Sequence, residues 1–257
     1  MKTTMPSLFL GHGSPMNLVL DNDFTQGLEE LSKTLPLPKA IVMISAHWYT
    51  TTTAVSIASG ISYETIYDFY GFPPSLYEIS YPSPSNNTIS KKVADLTGAV
   101  MVERGLDHGA WMPLHLLYPK ASIPVIQLSI NKNLSMEEHV ALGKKLAPLR
   151  EEGVLIMGSG NLTHNLNLVN FYNMSAPAVE WAVAVDRYIE EAFLNNDLDK
   201  LTRIESLCPE FKIAHPSYDH YLPLLYIAAM RQPEESVTIL TPFFQNASLS
   251  MKGFMLS

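Results

Sequence analysis

Three stretches of the chain are apolar at consecutive positions: Leu8–Leu10 within PSLFLG, Ile41–Ile44 within KAIVMISAH, and Val154–Met157 within GVLIMGSGN. A strand with one face in water alternates apolar and polar residues. A run such as Ile41-Val42-Met43-Ile44 needs apolar cover on both faces, as in a parallel sheet layered between helices. Further strands are expected at residues 52–59, 100–103 and 123–130, with 236–242 as the last clear one. Helical patterns lie between them. Residues 23–35 put Phe24, Leu28, Leu31 and Leu35 on one stripe, and residues 86–98 turn Ile89, Val93 and Leu96 inward. Residues 135–149 open with a capping box, Ser135 to Glu138. Residues 177–194 start at Pro177 and stripe Trp181, Val185, Tyr188 and Ala192. Residues 107–119 read as a turn into a short helix with Pro113 in its first turn, and 215–230 enter a further helix.

The alternation predicts one α/β domain over residues 1–257, with a central mostly parallel or mixed sheet covered by helices on both faces. The chain has 257 residues, within the range of a single α/β domain. It is 47% hydrophobic and 16% charged, which supplies a large core. One segment fits no element: residues 60–85, with YDFYGFPPSLYEISYPSP, form a long aromatic loop, and loops of that length in compact domains are commonly functional.

The 17 Lys and Arg are scattered and the net charge is −8, so no nucleic-acid surface is expected. With Cys208 alone, an intramolecular disulfide and a Cys-rich zinc site are excluded. No stretch reads as a signal peptide or reaches membrane-spanning length, and a cytoplasmic protein without membrane partners is expected.

The apolar runs share a second feature, a histidine at or just after the end. His12 follows residues 6–11, His47 is read as ending the strand at 40–46, and His164 follows 153–159 within GSGNLTHNL. Ligands of open α/β sheets bind beyond the carboxyl ends of the strands, so three parallel strands would aim all three histidines into one crevice. Neutral imidazoles gathered in one place suit Fe, Zn, Cu or Ni. A lone histidine at a strand end is ordinarily a hydrogen-bonded structural residue; repetition shifts the weight toward a site. His108, His115, His215 and His220 fall in two further clusters, and only His139 reads as a helix-surface residue. Other chemistries lack their signatures. There is no H-E-x-x-H, no G-x-S-x-G around Ser159 and no G-x-G-x-x-G after a strand, and GHGS lacks the Lys-Ser/Thr of a phosphate loop.

With these residues placed, the chain resembles the 4,5-DOPA dioxygenase (extradiol) branch of the class III ring-opening dioxygenases, relatives of the protocatechuate 4,5-dioxygenase catalytic subunit. The resemblance rests on LFLGHGSPM, ISAHW, YDFYGFPPSLYEISYPSP, GLDHGAWMPLHLLYP, PVIQLSI, GSGNLTHNL, AHPSYDHYLPLLY and SLSMKGF, in order along nearly the whole chain. It implies that His12, His47 and His220 bind a metal, and that His164 is an acid/base close enough to be a further ligand. It implies that His108 and His115 line the pocket, His115 having packing on its helix as its alternative. His215 is expected to shape the turn that aims His220. The wider superfamily has a glutamate where His220 stands, so this site is one negative charge poorer and resembles the three-histidine sites of catalytic zinc.

One divalent metal per subunit is implied, Fe(II) for catalysis with Zn(II) as the alternative occupant. The expected reaction is extradiol opening of a catechol such as L-DOPA by O2 to a muconic semialdehyde. Trp48 and the loop from Tyr63 to Tyr81 would wall the pocket, or Trp48 would simply pack beneath that loop. A zinc hydrolase on the same ligands and a non-enzymatic binding protein are the rival readings. The sequence leaves monomer and homodimer both open.

Overall fold

The computed structural model describes residues 4–257. One mixed sheet organises them, in the order β4-β3-β5-β2-β6-β1-β10-β7. Its strands are β1 (Ser7–Gly11), β2 (Ala40–Thr50), β3 (Ala54–Ile57), β4 (Val100–Glu103), β5 (Val125–Asn131), β6 (Val154–Gly160), β7 (Val237–Leu240) and β10 (Gly253–Leu256). A separate hairpin pairs β8 (Phe244–Gln245) with β9 (Leu249–Ser250). The three apolar runs are the centre of the sheet: β2, β6 and β1 are adjacent and parallel.

Each run feeds two cores. On one face Phe9, Val42, Ile44 and Ile156 pack together. The cover there comes from α2 (Asn87–Thr97), α4 (Met136–Leu146), α5 (Glu180–Leu194), the short helices α6 (Leu198–Thr202), α7 (Ile204–Leu207) and α8 (Phe211–Ala214), and α9 (Leu222–Ala228). On the other face Leu8, Leu10, Ile41, Met43 and Met157 pack against α1 (Asp23–Thr34), α3 (His108–Leu117) and the aromatic loop. The expected Ser135–Glu138 capping box is present, with Ser135 Oγ accepting from Glu138 N at 3.2 Å. No helix of the described residues is long and apolar enough to cross a membrane.

Several local expectations are corrected. β2 does not end before His47 but runs to Thr50, and its register with β5 shifts between Ile44 and Tyr49, so His47 sits in an irregularity rather than at a terminus. Pro113 lies inside α3, because Asp107 caps the helix at His108 and starts it early. Pro177 precedes α5, which begins at Glu180. Residues 236–242 are not the last strand: β10 follows and inserts antiparallel between β1 and β7.

His139 is not on the surface. It is fully buried between α4 and α9, with ring Nδ1 2.8 Å from the Tyr226 hydroxyl. The helices touch closely there, since a Cβ on Gly143 would stand 2.6 Å from the Tyr226 carbonyl oxygen. Burial pushes the His139 imidazole down to about 4, against the opposing pull of Glu138. An unfolded chain takes up this proton near pH 6.5, which the folded chain does not, so stability is present above that pH and is lost as pH falls toward 4. Between pH 7 and 5 this one residue should lower the unfolding free energy by about 2 kcal/mol. Urea unfolding of wild type and His139→Gln at both pH values checks this; the variant should lose less stability on acidification by about that amount.

Candidate active site

β1, β6 and β2 are not only parallel but level. Ser159 of β6 pairs with Leu10 on one side and Ser45 on the other, and Gly160 pairs with Gly11. The residues that follow therefore emerge together. His12 N donates to the Gly160 carbonyl at 2.9 Å, and its ring Nδ1 lies 2.9 Å from Ser159 Oγ. His47, two residues past Ser45, is turned to the same side, and its ring Nε2 lies 3.1 Å from His12 Nε2. Irregularity in a strand beside a functional site commonly re-aims one side chain, and His47 is the residue re-aimed here.

His108 is the first residue of α3. Asp107 anchors that end: it accepts from Ala110 N at 3.2 Å, from Ser45 Oγ at 2.7 Å and from Gln127 Nε2 at 2.8 Å. Gly109 makes the docking possible, since a Cβ there would lie 2.4 Å from Ser45 Oγ and 2.8 Å from a His47 ring carbon. His220 comes from the turn before α9. Its backbone crosses β6 so closely that a Cβ on Gly160 would be 2.1 Å from the His220 carbonyl oxygen, which accepts from Asn161 N at 3.1 Å. His164 is held by its N–H to the Ala214 carbonyl at 3.0 Å, and its ring stacks on His220 at 3.4 Å between centroids, 5° from parallel.

The result is a cluster of five imidazoles. The centroids of His12, His47 and His220 form a nearly equilateral triangle with sides of 5.0, 5.1 and 5.2 Å. His108 adds a ring 3.8 Å from His47 and 5.6 Å from His12. Burial first, and the neighbouring imidazoles second, hold His12 and His164 well below the usual histidine range; for His47 the same two causes outweigh the pull of Asp68 and Asp219. These rings are neutral near pH 7 and offer lone pairs rather than charges.

The donor set fits a metal ion. His220 Nε2 is buried with no hydrogen-bond partner, and the Nε2 atoms of His12 and His47 face one another. One ring nitrogen from each of His12, His47 and His108 can be chosen so that all lie within 4.8 Å, a group that takes in His108 where the sequence resemblance implies His220. The opposite nitrogens are backed by polar groups: His12 by Ser159, His47 by Asp68 with Nδ1 to Oδ2 at 3.4 Å, and His220 by Asp219 with Nδ1 to Oδ2 at 3.0 Å. Backing of this kind fixes the tautomer and ring orientation of metal-binding histidines. Burial raises the Asp68 carboxyl, but His108 and His47 outweigh it and bring the group to about 2. Asp219 is likewise raised by burial and lowered further by His220, ending well below its ordinary value.

The remaining sequence candidates lie elsewhere. His115 stands further along α3, with its ring 6.5 Å from Tyr81 and outside the cluster of five. His215 is buried with Nε2 2.9 Å from the Leu162 carbonyl, tying its turn to the loop that carries His164. Trp48 points away from His47 on its strand and lies under Arg104, 5.0 Å from guanidinium to ring centroid. Phe69 of the aromatic loop reaches the cluster, edge-on to His108 at 5.5 Å. The sequence reading passed over Asp68, Asp107, Ser159 and Asp219. Two of them carry a visible signal, an acid directly before a cluster histidine in Asp107-His108 and Asp219-His220.

Comparison with known proteins agrees with this arrangement. Residues 5–251 match the family described as the catalytic LigB subunit of aromatic ring-opening dioxygenase. The chain is 38% identical over 256 residues to a 4,5-DOPA dioxygenase extradiol of Escherichia coli K12, covering 97% of this chain and 93% of that one. It is 40% identical over 231 residues to a protein of the same name from Beta vulgaris, covering 85% and 84%. A crystal structure of an uncharacterized E. coli K12 protein superposes with a TM-score of 0.85 at 34% identity, covering 98% of this chain and all of that one. With an α/β fold that gathers five histidines in one place and a family match along almost its full length, the chain belongs to the LigB family of aromatic ring-opening dioxygenases, and it is an extradiol dioxygenase.

Proposed function

We propose that the protein opens the ring of a catechol such as L-DOPA outside the diol, adding both atoms of O2 to give a muconic semialdehyde, with Fe(II) as the working metal. One observation carries this reading: the gathering of His12, His47 and His220, their ring centroids 5.0 to 5.2 Å apart, with His12 backed on Nδ1 by Ser159 and His220 by Asp219. The names of the E. coli and Beta vulgaris relatives support the substrate class.

In this reading His12, His47 and His220 hold the metal. When bound, iron(II) supplies an electron path between catechol and O2 and makes the catechol hydroxyls more acidic. The chain's own groups do the rest. His164, a neutral imidazole stacked on His220, accepts a hydroxyl proton at a ring nitrogen and later returns it to oxygen. His108 lies on the opposite flank, beside His47, and is the second group placed to hold a proton or orient the diol. Phe69, packed by Phe72, Tyr77 and Trp111, excludes water on that side. His115 is assigned a supporting part under Tyr81, one step removed from the reacting atoms.

A three-histidine donor set is also that of catalytic zinc, which cannot pass electrons to oxygen. Metal-free protein reloaded without air, with Fe(II) or with Zn(II), and then given L-DOPA and oxygen separates the two. Oxygen uptake and a yellow product with iron alone are expected; no uptake with either metal, across several catechols, would move the function to hydrolysis or binding. His47→Ala should lose the metal while keeping its circular dichroism spectrum. Asp219→Asn, which leaves every ligand in place, should weaken metal binding about 10- to 100-fold in a chelator competition assay.

A further inference from the structure

The aromatic loop sends one charged side chain into the histidine cluster, and that side chain touches two of the rings. Asp68 Oδ1 accepts from the backbone N–H of His108 at 2.9 Å and lies 3.0 Å from the ring Nδ1 of the same residue. Asp68 Oδ2 lies 3.4 Å from His47 Nδ1. The two rings are 3.8 Å apart between centroids, so a single carboxylate spans both. The hydrogen bond is the one from the His108 backbone; the two ring nitrogens stand at ion-pair distance from the carboxylate. On His47 the opposite nitrogen, Nε2, faces His12.

The source of this carboxylate distinguishes it from the others. His12 is backed by Ser159 of β6, and His220 by its own chain neighbour Asp219. Asp68 belongs to the irregular segment between β3 and α2. That segment is also fastened along its length, by Ile66 N to the Leu106 carbonyl at 2.7 Å, Trp111 Nε1 to the Ile66 carbonyl at 3.0 Å, Tyr81 Oη to the Tyr118 carbonyl at 3.0 Å and Ser83 Oγ to the Ile123 carbonyl at 2.9 Å, so Asp68 is its one charged tie to the histidine cluster.

Resting on the metal reading above, we propose that Asp68 is a positioning residue that fixes His47 and His108 together, and so makes the aromatic loop part of the metal site. A metal ion on His47 then favours the docked loop, and a docked loop favours the metal, because whatever binds one arrangement more tightly stabilises it.

The competing account is that Asp68 merely accepts the His108 backbone N–H at the start of α3. Asp68→Asn discriminates, since an amide oxygen still accepts that bond but the charge is gone. Zinc affinity is read by chelator competition, and loop docking by the rate of chymotryptic cleavage within residues 60–85, with and without zinc. In wild type, zinc should slow cleavage of the loop several-fold. In Asp68→Asn, zinc affinity should fall about 10- to 100-fold and the protection should vanish even at saturating zinc. Asp68→Glu should recover part of both. Asp219→Asn should lose affinity but keep the protection once saturated. If the Asn variant does not fold, Asp68→Ser serves the same comparison. Wild-type affinity and wild-type protection in the charge-free variant would overturn the proposal. A wild type that binds neither zinc nor cobalt would instead overturn the metal reading on which it rests.

Discussion

The site depends on one backbone fact: β2, β6 and β1 run parallel and side by side. Ser159 is paired with Leu10 and Ser45 at once, so His12, just past β1, and His47, within β2, follow positions that stand level across the sheet. Hydrogen-bonded strands stand about 5 Å apart. With β6 between them, β1 and β2 stand two strand spacings apart, and the His12 and His47 side chains close that gap, their rings 5.0 Å apart. The buried apolar runs are what keep these three strands central.

Close approach is the second condition. His220 arrives from a turn that presses on β6 at Gly160, and α3 presses on β2 at Gly109. Any Cβ at either position would hold these elements apart, and rings that now share one space would point past one another. The polar groups behind the rings turn this crowding into a chemically defined arrangement. Ser159, Asp68 and Asp219 each face the Nδ1 of a cluster histidine, and polar groups so placed give imidazole rings a direction.

The charge of the site follows from the same layout. In the proposed reading His220 stands where the resemblance implies a glutamate in the wider superfamily. The negative charge has not left the neighbourhood: Asp68 and Asp219 stand directly behind the rings, both held ionised by their imidazole contacts against the cost of burial. In the proposed metal reading, these two carboxylates would balance part of the charge of a divalent cation held by the histidines.

Much of this was legible in the order of residues. Unbroken apolar runs state that a strand is covered on both faces, because an alternating pattern would be required for one face in water, and this determined the α/β class and the parallel centre. Histidines placed at the ends of such runs marked the end of the sheet where chemistry occurs, and the family resemblance supplied their roles. What the sequence could not state is which side chains stand behind those histidines. Asp68 lies 21 residues from His47 and 40 from His108, and Ser159 lies 147 from His12. Nor could it show that His139, polar and in a helix, is buried, or that His47 sits within β2 rather than at its end, or that β10 joins the sheet. Periodicity reports whether a face is covered, not what covers it. The covering partners, and with them the hydrogen bonds, tautomers and proton affinities of the site, are set only when segments distant in the chain are packed against one another.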